Sequence, residues 1–193
     1  MSFSPAAPVA ALLLSLFFLA PLASPHNPVI VKTRNSEEQP VVVARPEVSY
    51  AYYGLMTGEP HFYLIKADRP FRLYVNILLP DPRPKEEAVL RHDLSFEIRH
   101  DGSVLHAASG RDADWRRFYE PFGRDHYYLG PEFETSAPPG AYVIKIFNST
   151  NRGRYALAVG KKERFTLWSL IGAFFKARAL DRWFFKDDES RAP

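Results

Sequence analysis

Apolar and polar side chains alternate along several short stretches of the chain. From Phe71 to Leu79 every second residue is apolar, and the same holds from Leu94 to Ile98. Successive side chains of a β-strand point to opposite faces of a sheet, so this period of two predicts strands with one buried face. A helix would not separate the two kinds of residue in this way.

Turn-forming residues separate these stretches. Asp101-Gly102 suits the positive φ angles of a tight turn and predicts a hairpin that returns through 104–107. A second hairpin is predicted from 140–146, through the polar turn 148–153, into 155–159. With further strands expected at 48–53 and 61–66, about eight short strands without helical patterns between them predict an all-β sandwich of two antiparallel sheets.

The first 24 residues carry no charged side chain, and their middle is an apolar run of about a dozen residues. That run is shorter than the roughly 20 residues needed to cross a bilayer. It ends in the small residues around Ala23 and Ser24, where a signal peptidase would cleave. The alternative is an uncleaved anchor or a buried N-terminal helix. The predicted organisation is a signal peptide at 1–24, a leader with an edge strand at 25–46, a sandwich domain at 47–160 and a tail at 161–193.

Charge is distributed unevenly. The chain has 25 basic and 22 acidic residues, of which eight and five lie in 161–193, leaving 17 of each elsewhere. A neutral body argues against nucleic acid, whose binding requires a basic surface. The chain has no cysteine, so an exported protein would lack disulfides, which fits a bacterial or archaeal envelope better than eukaryotic secretion.

The segments 140–146 and 153–159, GAYVIKI and GRYALAV, resemble the last two strands of bacterial pre-peptidase C-terminal domains and of the related GOLD-type sandwiches. The order of the preceding strands extends this resemblance over about 48–159. The resemblance implies an extracytoplasmic accessory or binding module. Such modules are usually attached to a secreted hydrolase, and some of the modules bind calcium or extracellular polymers. This chain departs from the family's pattern because it carries no peptidase that the module could serve. The resemblance therefore assigns no binding residue in this sequence.

The connection 111–132 is rich in aromatic and charged residues. Long aromatic connections displayed by a rigid scaffold are often functional. Exposed rings here would stack on sugar faces while charged groups bind the hydroxyls. The alternative is a small core that covers one sheet. The candidate ligand-binding residues are Trp115, Tyr119, Glu120, Arg124, His126, Tyr127 and Tyr128.

No catalytic motif and no metal-binding motif is found, and no cofactor is expected. Asp112 and Asp114 are spaced as calcium ligands might be, but no glycine or third acidic residue completes a loop, which favours a solvated turn. The six histidines form no i, i+4 pair, and His61 and His106 fit ordinary sheet positions. A dispersed carboxylate pair among Glu120, Asp125 and Glu132 is the remaining route to a hydrolase.

The tail is the only part with helical spacing of apolar residues. Between Lys161 and Lys186 it carries seven positive and two negative charges. Basic residues beside Trp and Phe suit an anionic membrane surface, whereas the same apolar face would also pack on the sandwich or on a partner. The candidate contact residues are Leu167, Trp168, Leu170, Ile171, Phe174, Phe175, Lys176 and Trp183.

Together these features favour a non-enzymatic, extracytoplasmic β-sandwich that binds an extracellular glycan or envelope protein. Its tail would place it on the anionic outer face of the cytoplasmic membrane. The alternative is a secreted carbohydrate-binding or peptidase-accessory module with a docked tail.

Overall fold

The computed structural model describes residues 27–81, 92–120 and 125–162, and this part of the chain contains strands and no helix. The predicted all-β class is therefore confirmed. The predicted signal peptide and the helical part of the tail lie outside the described residues. The strands are β1 (Asn27–Ile30), β2 (Val41–Val42), β3 (Tyr50–Thr57), β4 (His61–Ala67), β5 (Phe71–Pro80), β6 (Ser95–His100), β7 (Ser103–Ala108), β8 (Arg116–Glu120), β9 (Asp125–Ala137), β10 (Gly140–Phe147) and β11 (Arg152–Val159).

The strands form two sheets that pack face to face. The six-stranded sheet has the order β1-β3-β11-β5-β9-β8, and the five-stranded sheet has the order β2-β4-β10-β6-β7. Neighbouring strands are antiparallel except at one edge of each sheet, where β1 runs parallel to β3 and β2 runs parallel to β4. The sheets are therefore mixed. The chain passes from the six-stranded to the five-stranded sheet between β1 and β2, and again between β3 and β4. Because both passages run in the same direction, β1 is parallel to β3 and β2 is parallel to β4.

The alternating residues predicted to face inward do so. Leu94, Phe96 and Ile98 expose 1% or less of their surface, and Leu73, Val75 and Ile77 are fully buried opposite them. Burial of one such side chain contributes about 1.5–3 kcal/mol. The two inner faces therefore form one continuous apolar core.

The Asp101-Gly102 hairpin is confirmed. Both residues have positive φ, 47° and 85°, and they join β6 to β7. The Asp101 carboxylate also accepts a hydrogen bond from the backbone N–H of Ala141, at 2.9 Å. The turn is thereby tied to the start of β10.

The second predicted hairpin is wrong. β10 lies between β4 and β6 in the five-stranded sheet, whereas β11 lies between β3 and β5 in the other. The connection between them crosses the edge of the sandwich, and the Asn148 carboxamide fixes it by donating to the carbonyl of Arg152 and accepting from its N–H. Tyr142 and Tyr155 face inward in either arrangement, so alternation alone does not distinguish a hairpin from a crossing.

The connection 111–132 is not a loop throughout. Its middle forms the antiparallel pair β8 and β9, and β9 continues along β5 as far as Ala137. The aromatic residues are therefore carried by a hairpin at one edge of the six-stranded sheet. A register shift between Asn76 and Leu78 bends this ribbon.

Candidate functional site

The β8–β9 hairpin is anchored at its base by Trp115. The Trp115 indole N–H donates to the carbonyl of Gly110 at 2.7 Å, and its ring stacks on His92 with centroids 5.1 Å apart. Gly130 lies directly beneath the ring, where a Cβ would come within 2.4 Å of it. Trp115 also packs against the main core. Trp115 therefore fixes the base of the hairpin to the sandwich.

Two further contacts hold the hairpin against the sheet. Arg117 donates through Nε to the carboxylate of Asp81 at 2.8 Å, and Asp81 is only 7% exposed. Tyr127 is 3% exposed and packs with Ile30, Tyr53 and Leu78 on the outer side of the sheet. Of the aromatic residues in this connection, Tyr127 therefore belongs to a small apolar cluster on the outer side of the sheet.

Part of each face of the hairpin is exposed to solvent. Tyr119 exposes 48% of its surface and Phe118 exposes 38%. Tyr119 pairs with His126 across the strands, and the two ring centroids are 4.9 Å apart. Arg116 is also exposed. Because Phe118 and Tyr119 are consecutive in β8, their rings point to opposite faces of the hairpin: Phe118 shares the face of Arg116 and Tyr127, and Tyr119 shares the face of His126.

The predicted ligand-binding residues do not form one surface. Tyr119 is displayed, His126 and Tyr128 are half-buried, and Tyr127 is buried. Arg124 and the side chains of Glu120 and Asp125 lie outside the described part. Phe118 was not among the predicted residues, although it is exposed on the other face of β8.

Asp112 and Asp114 are exposed. In the described ranges no three His, Asp or Glu side chains are grouped so that they could hold a metal ion. Within the same ranges no helix is long and apolar enough to cross a membrane. The tail residues from Leu167 to Trp183 lie beyond the last described position.

A second feature, which the sequence did not predict, is a polar cleft of about 960 Å³ at one end of the sandwich. It lies where the chain crosses from sheet to sheet twice, between β1 and β2 and between β3 and β4. Its volume is at the upper end of the roughly 300–1,000 Å³ common for ligand pockets. Residues 31–38, 59–62 and Lys145 of β10 supply most of its lining.

The lining of this cleft carries both signs of charge. Its cations are Lys32, Arg34 and Lys145, and its carboxylates are Glu37, Glu38 and Glu59. Glu37 is engaged by Arg99 at 3.6 Å. Glu38 accepts a hydrogen bond from the Ser36 hydroxyl; its own backbone amide, Ser36 and the nearby Arg34 lower the pKa of Glu38.

His61 lies beside the cleft and joins it to the core. Its Nδ1 is 2.8 Å from the Tyr155 hydroxyl, which is 2.6 Å from the Tyr63 hydroxyl. Burial lowers the pKa of His61 and raises the pKa of both tyrosines. All three groups are therefore neutral near pH 7. The three neutral groups satisfy one another's hydrogen bonds, as in a structural network, and are not arranged as a nucleophile with its base.

Sequence reasoning missed the cleft because its residues are far apart in the chain. Lys32, His61 and Lys145 come together only through the sheet order. His61 was predicted to be an ordinary sheet residue, and it does lie in β4. The one usable signal was the polar run 32–39 between two valine-rich segments, which is typical of a connection exposed between two strands.

The fold defines a two-layer β-sandwich. No family model matches the chain, and no curated protein matches it. Among solved structures the chain is similar to the pre-peptidase C-terminal domain of collagenase from Bacillus anthracis, with 13% sequence identity and a TM-score of 0.36. The alignment covers 66% of this chain and 98% of that domain. That solved structure bears the name of the family whose last two strands the segments 140–146 and 153–159 resemble.

Proposed function

We propose that this protein is an exported, non-enzymatic binding module that contacts an extracellular glycan or an envelope protein through the β8–β9 hairpin. The observation that carries the proposal is that two exposed rings, Phe118 and Tyr119, lie on the two faces of an anchored hairpin at the sheet edge. Aromatic rings bury a large area and have few rotatable bonds, and arginine is enriched at binding hot spots. Arg116, exposed on the same face as Phe118, adds a hydrogen-bonding cation.

The anchoring supports this proposal. A ring held on a rigid strand loses less entropy on binding than a ring on a mobile loop. Trp115 and Asp81 fix the hairpin on the core side and Tyr127 fixes it on the outer side, so the backbone that carries the exposed rings is held in place. The alternative module, a secreted carbohydrate-binding or peptidase-accessory domain, would use the same surface.

The test is binding of the mature chain to a glycan array and to an isolated bacterial envelope fraction. We expect binding that Tyr119→Ala and Phe118→Ala each weaken, because both rings contact the ligand. Leu105→Ala is the matched control, since Leu105 is also an exposed apolar residue (44%) but lies on β7 of the other sheet. Equal binding by wild type and both hairpin variants would contradict the proposal.

Export and membrane contact are further parts of this proposal, and they rest on the sequence. Residues 1–24 are the proposed signal peptide and 161–193 the proposed membrane-surface tail. In the described part of the tail, Lys161 lies 2.7 Å from Glu134 and Lys162 lies 4.0 Å from Glu47. The first two basic residues of the tail are thus paired with the sandwich, which leaves the later ones for lipid.

Flotation with anionic vesicles tests the tail. The mature protein should float with the vesicles, and a chain ending at Lys162 should not. Flotation of both proteins alike would remove the tail from the proposal without affecting the hairpin. Amino-terminal sequencing of the protein recovered from the periplasm or medium tests export, and a product that retains residues 1–24 in the cytosol would contradict it.

A further inference from the structure

The outer face of the six-stranded sheet carries an apolar row that runs from β1 to β9. Strand pairing places its members side by side, and they are Ile30, Tyr53, Ala156, Leu78 and Leu129. The outer face of a mostly antiparallel sheet is ordinarily polar and solvated. This row has instead the composition of a buried surface.

Strand β11, in the middle of that row, is buried on both of its faces. Its inward residues belong to the main core. Ala156 and Ala158 point outward, and yet they are only 2% and 3% exposed. Continuous burial of this kind is typical of a strand with a layer packed on each side. Tyr53 and Leu78, the partners of Ala156 on the neighbouring strands, are larger than alanine, so the two alanines form the floor of a shallow trough along β11.

The chain itself leads onto this face. β11 ends at Val159, and Lys161 lies over the outward ring of Tyr74, with its Nζ 4.2 Å from the ring centre. The same ammonium group lies 2.7 Å from the carboxylate of Glu134. The tail, residues 163–193, follows directly. It therefore starts beside the trough and not on the far side of the sandwich.

The sequence of the tail carries a matching apolar stripe. At helical spacing the apolar residues that fall on one side are Leu167, Leu170, Ile171, Phe174 and Phe175. A helix over 167–175 would be about 14 Å long. It would fit within the length of β11, which has eight residues and extends over about 26 Å. Residues 163–166 give the chain a connection of common length in which to reverse direction.

We propose that the tail docks on the outer face of the six-stranded sheet of its own chain, with the stripe in the trough over Ala156 and Ala158. Burial of the two apolar surfaces against each other drives the docking. Lys176 falls on the opposite side of the predicted helix, so it stays available for the membrane contact proposed above. The docking does not depend on that contact and holds equally for a protein that never meets a membrane.

A second copy of the chain is the other candidate for covering this face. The tail is favoured because it is covalently attached beside the trough. A segment held by a short connection has an effective concentration on the order of millimolar. A second copy at micromolar concentration competes poorly with it.

Paramagnetic relaxation enhancement in the full mature chain tests the docking. The chain has no cysteine, so Ser169→Cys provides one attachment site for a nitroxide in the tail, outside the stripe. We expect the nitroxide to broaden the backbone amide signals of Tyr53 and Ala156 several-fold more than those of Ala107 and Lys145, which lie in the other sheet. Equal broadening in both sheets, or broadening in neither, would overturn the proposal.

Variants locate the contact on both sides. Phe174→Gln, in the middle of the stripe, should abolish the selective broadening and lower the thermal midpoint, because it places an amide in the apolar trough. Ala173→Gln, its neighbour outside the stripe, is the matched control and should leave both unchanged. On the sheet, Ala156→Glu should act like Phe174→Gln, whereas Ala107→Glu at an exposed position of β7 should not.

Far-UV circular dichroism shows whether each variant is folded. Phe174 lies outside the two sheets, so Phe174→Gln keeps the test valid even where Ala156→Glu fails to fold. A folded Phe174→Gln protein with undiminished selective broadening would overturn the proposal.

A mixed sample distinguishes the tail from a second copy. Spin-labelled protein without isotope label is mixed with isotope-labelled protein without the nitroxide. We expect no broadening in the mixture, and broadening of Tyr53 and Ala156 there would assign the face to a second copy and overturn the proposal. No vesicles are present in these experiments. Failure to float with vesicles would therefore remove only the membrane contact, and loss of selective broadening would remove only the docking.

Discussion

The hydroxyl of Tyr63 lies 2.6 Å from the hydroxyl of Tyr155 in the centre of the sandwich. The two residues belong to different sheets, since Tyr63 is in β4 and Tyr155 is in β11, and both are fully buried. His61 completes the chain through its contact with Tyr155. Two hydrogen bonds therefore link the two layers inside the core, and the Tyr155 hydroxyl takes part in both.

Removing the central hydroxyl should cost more than removing a terminal one. Tyr155→Phe leaves both the Tyr63 hydroxyl and His61 Nδ1 without their partner, whereas Tyr63→Phe leaves the Tyr155–His61 bond in place. We expect Tyr155→Phe to lower the free energy of unfolding by about 1–3 kcal/mol and Tyr63→Phe by less. Urea denaturation measures both, and a larger loss in Tyr63→Phe would contradict the assigned geometry.

His61 should make stability depend on pH. Burial lowers its pKa in the folded state below the ordinary value of 6.5, so the unfolded chain takes up the proton first. Stability is then complete above pH 6.5 and falls as the pH decreases from 6.5 towards the pKa of the folded state. The slope from one such group is at most about 1.4 kcal/mol per pH unit.

Burial also lowers the pKa of His106, which contributes in the same direction. His106→Gln is therefore the matched background. In this variant the free energy of unfolding should still fall between pH 7 and pH 5, roughly the window in which an ordinary histidine titrates. Adding His61→Gln should reduce that fall. An unchanged slope in the double variant would show that His61 is not the titrating group.

The Asp101-Gly102 turn should tolerate asparagine but not alanine. Asp101 has a φ of 47° and accepts the Ala141 N–H, and asparagine retains both abilities. We expect Asp101→Ala to lower the free energy of unfolding by about 1–2 kcal/mol and Asp101→Asn by much less. Thermal denaturation of the two variants side by side measures the difference, and equal losses would count against this turn.

Gly130 should be required beneath Trp115. A Cβ at this position would come within 2.4 Å of the indole ring, so Gly130→Ala must displace the ring or the strand. Overpacking of this kind costs about 1–3 kcal/mol. In a Trp115→Leu background the same substitution should be nearly neutral, because the clashing ring is gone. A double-mutant cycle from urea denaturation gives the coupling, and additive losses would mean that the two residues do not touch.

The sequence predicted which side of each strand is buried, because a period of two has only two phases. Phe96 and Ile98 face the core for that reason, and the Asp101-Gly102 turn was found because few residues accept its φ angles. The strand 132–137 was overlooked, although glutamate alternates there with Phe133 and Thr135. Its alternation follows directly on a charged and aromatic run that is typical of a connection between strands.

Other features follow from contacts that no short sequence window contains. Alternation places Tyr142 and Tyr155 inside but does not assign them to the same sheet or to opposite sheets. In the hairpin, Trp115 and Tyr127 look like binding residues by type, yet their packing makes them anchors, and among the described aromatic residues of β8 and β9 Phe118 and Tyr119 are the exposed ones. The cleft is formed where two connections between the sheets meet strand β10, so no short stretch of sequence indicates that Lys32 and Lys145 lie near each other.

β10 and β11 lie in opposite sheets, and β11 pairs with β5, which in turn carries the β8–β9 hairpin. The most direct measurement of this arrangement is a set of backbone nuclear Overhauser contacts in labelled protein. We expect cross-strand contacts of Ile144 with Tyr63 and Ile98, and of Leu157 with Tyr52 and Ile77. Cross-strand backbone contacts between 140–147 and 152–159, as in a hairpin, would contradict it.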